Sequence, residues 1–226
     1  MSDKILVIIL KGETRPHDVH LKKLKLYFND NQFIIHVLDC KTQDDTVAYR
    51  AALKMASTKY EHYPCLIIKD SSLINKINIK KILFTILSLS DIGFLCQYQG
   101  QCHQYLNVDN HPRLKWTTSA FATQAILLTP QAISLLLKDL KNIKESLLKA
   151  QKEVKAIVCT PNIVHFDINL ATSNEDFYKL NECAFILKDD DQIDHSTNMV
   201  WLFLIIILIL FLVIIVPYFK HYKQLL

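Results

Sequence analysis

Eighteen consecutive residues, Met199 to Val216, carry no charge: MVWLFLIIILILFLVIIV. A run this long and apolar has no place on a water-facing surface, so it belongs in a core or in a bilayer. As a helix it covers about 27 Å, close to the ~30 Å hydrocarbon core of a membrane. Pro217, Tyr218 and Phe219 carry it to an interface, and Lys220 and Lys223 follow as anchors. Trp201 and Tyr218 lie near its two ends, where amphipathic rings settle. The expectation is a transmembrane helix over 199–219 with a short tail, 220–226, and the bilayer as a partner.

The opening MSDKILVIILKGE does not read as a secretory signal, because it has Asp3 and an apolar run of only six residues, Ile5 to Leu10. A signal core needs about 7–15 apolar residues before a small-residue cleavage site. The expected topology is therefore a tail anchor inserted after translation, with residues 1–198 in the cytosol. Charge bias points the other way. Asp189, Asp190, Asp191 and Asp194 precede the span, and Lys220, His221 and Lys223 follow it. Insertion timing is given more weight, since a seven-residue tail crosses easily. Six cysteines lack C-x-x-C spacing and read as reduced thiols; Cys102-His103 is weak as a zinc signal. Twelve asparagines include no N-x-[ST] sequon, which leans the same way.

Residues 1–188 hold 24 basic and 18 acidic side chains, after the two lysines and four aspartates beyond them are set aside. That mild excess is spread out, so solubility or nearness to anionic lipid explains it and no nucleic-acid partner is expected. With three glycines there is no G-x-G-x-x-G and no P-loop, which removes two phosphate-cradling routes. Lysine outnumbers arginine 23 to 3. This bias fits an AT-rich genome, such as that of a large DNA virus or a parasite, so the membrane would be a host or virion membrane if the chain is viral.

Along the chain the pattern alternates. KILVIIL (4–10), FIIHVL (33–38), CLIIKD (65–70) and IGFLCQY (92–98) are apolar runs of strand length. Between them, 18–30, the stretch opened by Asp44-Asp45, and 77–89 have helical spacing, and acidic residues in a first turn complement the helix dipole. TTSAFATQAILLT after Trp116 reads as extended, Pro130 opens a helix over 131–140, and a charged helix (141–153) precedes strands at 155–160 and 162–167. Near-continuous apolar strands separated by helices predict an α/β fold with an open, mostly parallel, doubly wound sheet. The predicted domain spans 1–168, and 169–198 reads as a polar linker.

In such a sheet, ligands bind outside the carboxyl ends of the strands. The third strand ends in Lys69-Asp70-Ser71-Ser72 and the last in His165-Phe166-Asp167. Asp70 alone is a poor site for Mg²⁺ or Mn²⁺; Asp167 would add a carboxylate and His165 a nitrogen. The plainer alternative is that Asp70 ends a strand and the other two are loop residues.

The run YRAALKMASTKYEHYPCLIIKDSSLI (49–74) resembles a segment of the family-25 glycosyltransferases, the lipooligosaccharide and procollagen galactosyltransferase type. Three further pieces follow in the family's order. Asp91-Ile92-Gly93-Phe94-Leu95 resembles a strand, and Ala122 to Ala132 resembles an acceptor-side strand and helix. Pro161 to Asp167 resembles the closing strand. The likeness spans roughly residues 3–168 and implies a GT-A fold and a UDP-sugar as partner. By that resemblance the nucleotide-sugar-binding candidates are Lys69, Asp70, Ser71, Asp91, His165 and Asp167. No catalytic residue is assigned.

The departures are as telling. Where the family has Glu-Asp-Asp to hold a divalent ion, this chain has Lys69-Asp70-Ser71. A lysine there repels Mn²⁺, though it can neutralise a diphosphate directly. Ala122 and Ile126 replace the family's glycine and tyrosine. No metal or other cofactor is expected. The leading reading is a membrane-tethered glycosyltransferase-like domain that has lost metal-dependent transfer and now binds or scaffolds, a pseudoenzyme. The alternatives are an active, metal-independent sugar transferase, and a structural membrane protein that recruits partners.

Overall fold

The computed structural model describes residues 3–12, 17–40, 44–74, 78–96, 105–160 and 162–166. All lie in the first of two units, Met1–Ala184. The apolar run 199–216, its tail and the expected linker 169–198 lie outside the described residues. Among the described residues no helix is long and apolar enough to cross a membrane.

β1 (Ile5–Lys11) has no polar face, so it can rest only where both sides of the sheet are covered. It does: Ile5 to Ile9 are fully buried. β2 (Phe33–Asp39) and β3 (Cys65–Lys69) pair with it in parallel, one on each side. α1 (His17–Tyr27) links β1 to β2, and α2 (Asp45–Lys59) links β2 to β3. The two crossovers travel in opposite directions, so right-handed connections put α1 and α2 on opposite faces. β2 touches both: Ile35, His36 and Val37 line a groove with α1, and the His36 ring also meets Tyr60 at the end of α2. α2 starts where Asp44 accepts the Thr46 N–H at 2.7 Å, as its acidic opening predicts. Ala48, Tyr49, Ala52, Leu53 and Ala56 form its buried face.

β4 (Ser72–Ile74) leaves the main sheet directly after β3 and pairs with β10 (Val164–Phe166) in a separate two-stranded ribbon. α3 (Ile79–Leu89) leads to β5 (Ile92–Phe94), then come β6 (Leu106–Val108), β7 (His111–Thr117) and β8 (Ala125–Leu128). α4 (Pro130–Lys138) is capped by the Thr129 hydroxyl with Pro130 in its first turn. α5 (Ile143–Ala150) is capped by Asn142 and precedes β9 (Ala156–Cys159). The main sheet runs β2-β1-β3-β8-β5-β9-β7-β6.

Two parts of the sequence reading need correction. The sheet is mixed: β8 runs antiparallel to β3 and β5, and β7 antiparallel to β9. β8 reverses because the chain enters it from the rim where β3 ends, with the Lys69 N–H bonded to the Gln124 carbonyl at 2.9 Å. The long extended stretch after Trp116 is strand only at Ala125–Leu128. The Thr117 hydroxyl accepts the N–H groups of Ser119 and Ala120 and turns the chain out of the sheet. β6 and β7, not foreseen, form a hairpin through a tight turn in which Asn110 has φ 61°, a conformation asparagine tolerates.

Candidate functional site

Chain order changes direction at β1: the next strand, β2, lies on one side and β3 on the other. That is a topological switch point, the place where open α/β sheets receive ligands outside the carboxyl ends of their strands. Polar groups there bind one another. Asp70, 3% exposed, accepts the Gly12 N–H at 2.9 Å, and its own N–H reaches the Leu10 carbonyl at 3.0 Å. The Lys69 ammonium lies 2.7 and 2.9 Å from the two oxygens of Asp45, at the first turn of α2. The Thr123 hydroxyl donates to the same carboxylate at 2.6 Å, and the Tyr49 hydroxyl donates to the Thr123 carbonyl at 2.9 Å. The Gln124 amide donates to the Ser71 and Ser72 hydroxyls at 2.9 and 2.8 Å.

This network explains its own electrostatics. Burial pushes the Cys40 thiol up, and the charges of Asp70, Asp39 and Asp45 push it further, while Lys69 opposes them. Burial likewise drives the Tyr49 phenol well above its ordinary value. Among the described residues, those at the carboxyl ends of β1, β2 and β3 and the start of α2 include four carboxylates, Asp39, Asp44, Asp45 and Asp70, and two ammonium groups, Lys11 and Lys69.

The candidates do not form one cluster. Lys69, Asp70 and Ser71 sit together at the carboxyl rim. His165 comes to their side through its backbone, because it pairs with Leu73 just beyond Ser71 and Ser72. Asp167 lies outside the described residues, as do Cys102 and His103. Asp91 is on the opposite rim. It precedes β5, where Ile92 aligns with Leu128 and, across β8, with Cys65 at the start of β3. Five residues of β3 separate the rims by roughly 16 Å. There Asp91 accepts the Thr129 hydroxyl at 3.0 Å and helps fix the start of α4. Asp91 thus stands apart from Lys69, Asp70 and Ser71 because it opens its strand, whereas they close theirs.

Asp45, Thr123, Gln124 and Gly12 were missed as site members. Gly12 had a signal, as one of three glycines and the residue that ends the first strand. Asp45 looked only like a helix opener, and nothing local shows that it reaches Lys69.

The divalent ion that the family resemblance implies does not fit these residues. One of the three positions carries an ammonium bonded to Asp45, and the remaining carboxylate accepts a backbone N–H. Among the described residues no three His, Cys, Asp or Glu side chains converge on a common point.

No family model matches the sequence, and no curated protein matches it. Among solved structures, the chain is similar to a glycosyltransferase involved in the glycosylation of the major capsid of PBCV-1. The TM-score is 0.43 at 9% identity, over 77% of this chain and 98% of that one. It is similar to a UDP-glucose pyrophosphorylase complexed with UDP-glucose, with TM-score 0.40, 10% identity, and coverage of 69% and 72%. A putative nucleotide-diphospho-sugar transferase from Desulfovibrio desulfuricans G20 gives 0.42 at 8% identity, over 87% and 98%. Scores this low fix no family. What the chain's own topology defines is a mixed α/β domain with a topological switch point at β1.

Proposed function

We propose that this domain is a glycosyltransferase-like pseudoenzyme that binds the nucleoside end of a nucleotide sugar at the β1–β3 rim, without metal and without transferring the sugar. One observation carries the reading: the charge at the switch point is closed on itself. Lys69, the cation that would replace a metal, is bonded to Asp45 and sits among carboxylates. A diphosphate carries two or more negative charges and would meet Asp39, Asp44, Asp45 and Asp70 among the described residues there. Ribose hydroxyls, by contrast, donate readily to carboxylates at strand ends. Transfer needs the leaving diphosphate stabilised. Among the described residues the rim offers Lys69 already paired with Asp45, and a paired cation favours binding over catalysis.

Calorimetry with uridine and UDP, each with and without Mn²⁺, tests this. The reading predicts that uridine and UDP bind with similar affinity and that Mn²⁺ changes neither. UDP binding that is metal-free, stronger than uridine by about a hundredfold (roughly 2.7 kcal/mol) and lost on Lys69→Ala would favour the active, metal-independent transferase. Tight binding only with Mn²⁺ would overturn the degenerate site. Absence of any nucleotide binding would favour the purely structural membrane protein.

The same proposal holds the domain at a membrane through residues 199–219, with the domain on the cytosolic face. Its support is the uncharged run and its flanking anchors. Deleting 199–226 should release the protein from membranes washed with carbonate, and retention would show another anchor. Protease added to sealed vesicles should digest the domain, and protection would reverse the orientation.

A further inference from the structure

The two edges of the main sheet are built differently. β6 is three residues long and its pairing with β7 is interrupted by a register shift at Asn107/Val108. Short length and a bulge are ordinary ways to blunt an edge. β2 has neither. It pairs with β1 over seven residues in unbroken register, and its sequence, FIIHVLD, holds no lysine and no proline. Among the described residues no strand pairs with its outer side. An open groove of about 700 Å³ runs alongside, between this edge and α1. Ile35, His36 and Val37 form its floor, and Leu26, 73% exposed, with Lys22 and Lys25 forms its wall. Neither lysine has an ion-pair partner among the described residues.

We infer that β2 and α1 form a docking site for an extended acidic segment of a partner protein, added to the sheet as a strand beside β2. An added strand satisfies the open backbone groups of the edge. Its alternate side chains point to the α1 face, where acidic residues meet Lys22 and Lys25. A second copy of this chain is the poorer occupant: pairing β2 with β2 about a two-fold axis brings the lysines of both α1 helices together. A bilayer is also poorer, because the groove is concave and its floor is a strand edge.

The test uses the full chain in nanodiscs of zwitterionic lipid, with a blocked nine-residue peptide of alternating valine and glutamate as the probe. The glutamate peptide should bind about tenfold tighter than its lysine counterpart. Lys22→Glu with Lys25→Glu should invert that preference, and both positions are exposed, so the variant keeps its fold. Amide exchange across Phe33–Asp39 should slow by about tenfold on binding. N-methylation of alternate peptide residues should abolish both effects. Binding indifferent to N-methylation, or without slowed exchange in β2, overturns the proposal. So does β2 protection that rises with protein concentration in the absence of peptide, which assigns the edge to a second copy. Anionic nanodiscs that slow exchange in α1 but not in β2 overturn it in favour of a lipid surface.

Discussion

The two rims of the main sheet hold themselves together by different means. At the carboxyl rim of β1 and β3, where β8 begins, side chains cross long sequence distances: Gly12 to Asp70, Lys69 and Thr123 to Asp45, and Gln124 to Ser71 and Ser72. At the amino rim the ties are mostly backbone bonds. Asp91 N–H donates to the Lys155 carbonyl and Thr129 N–H to the Asp91 carbonyl, each at 2.9 Å. The exposed Asp30–Lys80 pair lies at the amino end of β2 on the same side. A rim tied by side chains has polar groups already positioned where a ligand would sit. A rim tied by backbone leaves its side chains nearly dispensable.

The largest test of that contrast is the pair Asp70→Ala and Asp91→Ala. Asp70→Ala should cost about 2 kcal/mol, because it leaves the half-buried Gly12 N–H without its carboxylate acceptor. Asp91→Ala should cost about 1 kcal/mol, since the backbone bonds remain. Urea unfolding of each variant reads both, and equal losses would break the comparison.

Between the rims, Gly93→Ala should cost about 2 kcal/mol by overpacking. A Cβ there would lie 2.5 Å from Cγ2 of Ile86 on α3. Adding Ile86→Ala should recover part of the loss against the single Ile86→Ala variant. If Gly93→Ala is silent, α3 does not press on β5 as described.

Lys69→Glu would restore one carboxylate of the family motif, yet it sets that group against Asp45. Both partners are partly exposed, with 25% and 36% of their side chains open, so screening limits the loss to about 1 kcal/mol. Exchanging the charges, with Lys69→Glu and Asp45→Lys together, should recover most of it. An unchanged unfolding midpoint for the single variant would show that the rim is not closed by this pair.

The smallest effect belongs to the amino rim. The Lys80 ammonium, by its hydrogen bond, holds the Asp30 carboxyl below its usual 3.8, with help from the Gln32 N–H. A carboxyl lowered on folding stabilises above its unfolded value, and the contribution disappears as pH falls through the folded one. Lys80→Ala should therefore lower the melting midpoint slightly at pH 7, and the two proteins should converge once the pH falls below the lowered carboxyl value. A gap that persists in acid would mean Lys80 acts through packing.

The parallel half of the sheet was legible because its strands are uniform. Ile5–Lys11, Phe33–Asp39 and Cys65–Lys69 are apolar up to their last residue, His36 apart, and the caps at Asp44 and Thr129 are local chemistry. The mixed half was not. β7 contains Pro112, Arg113 and Lys115, so its pattern follows its place near the edge rather than any buried face. Strand direction is also invisible in a run such as AILL, since it depends on which rim the chain enters from. The site was half legible for a related reason. Lys69-Asp70-Ser71 stands out at a strand end, but its partners lie 24 to 58 residues away and no periodicity links them.

Amide exchange with uridine added is the most direct test that the carboxyl rim, and not the other, receives the nucleoside. Slowed exchange at Gly12 and across Lys69–Ser72, with no change at Asp91, Ile92 or Ala156, is the predicted result. Protection at Asp91 and its neighbours, or no protection at either rim at saturating uridine, would contradict it.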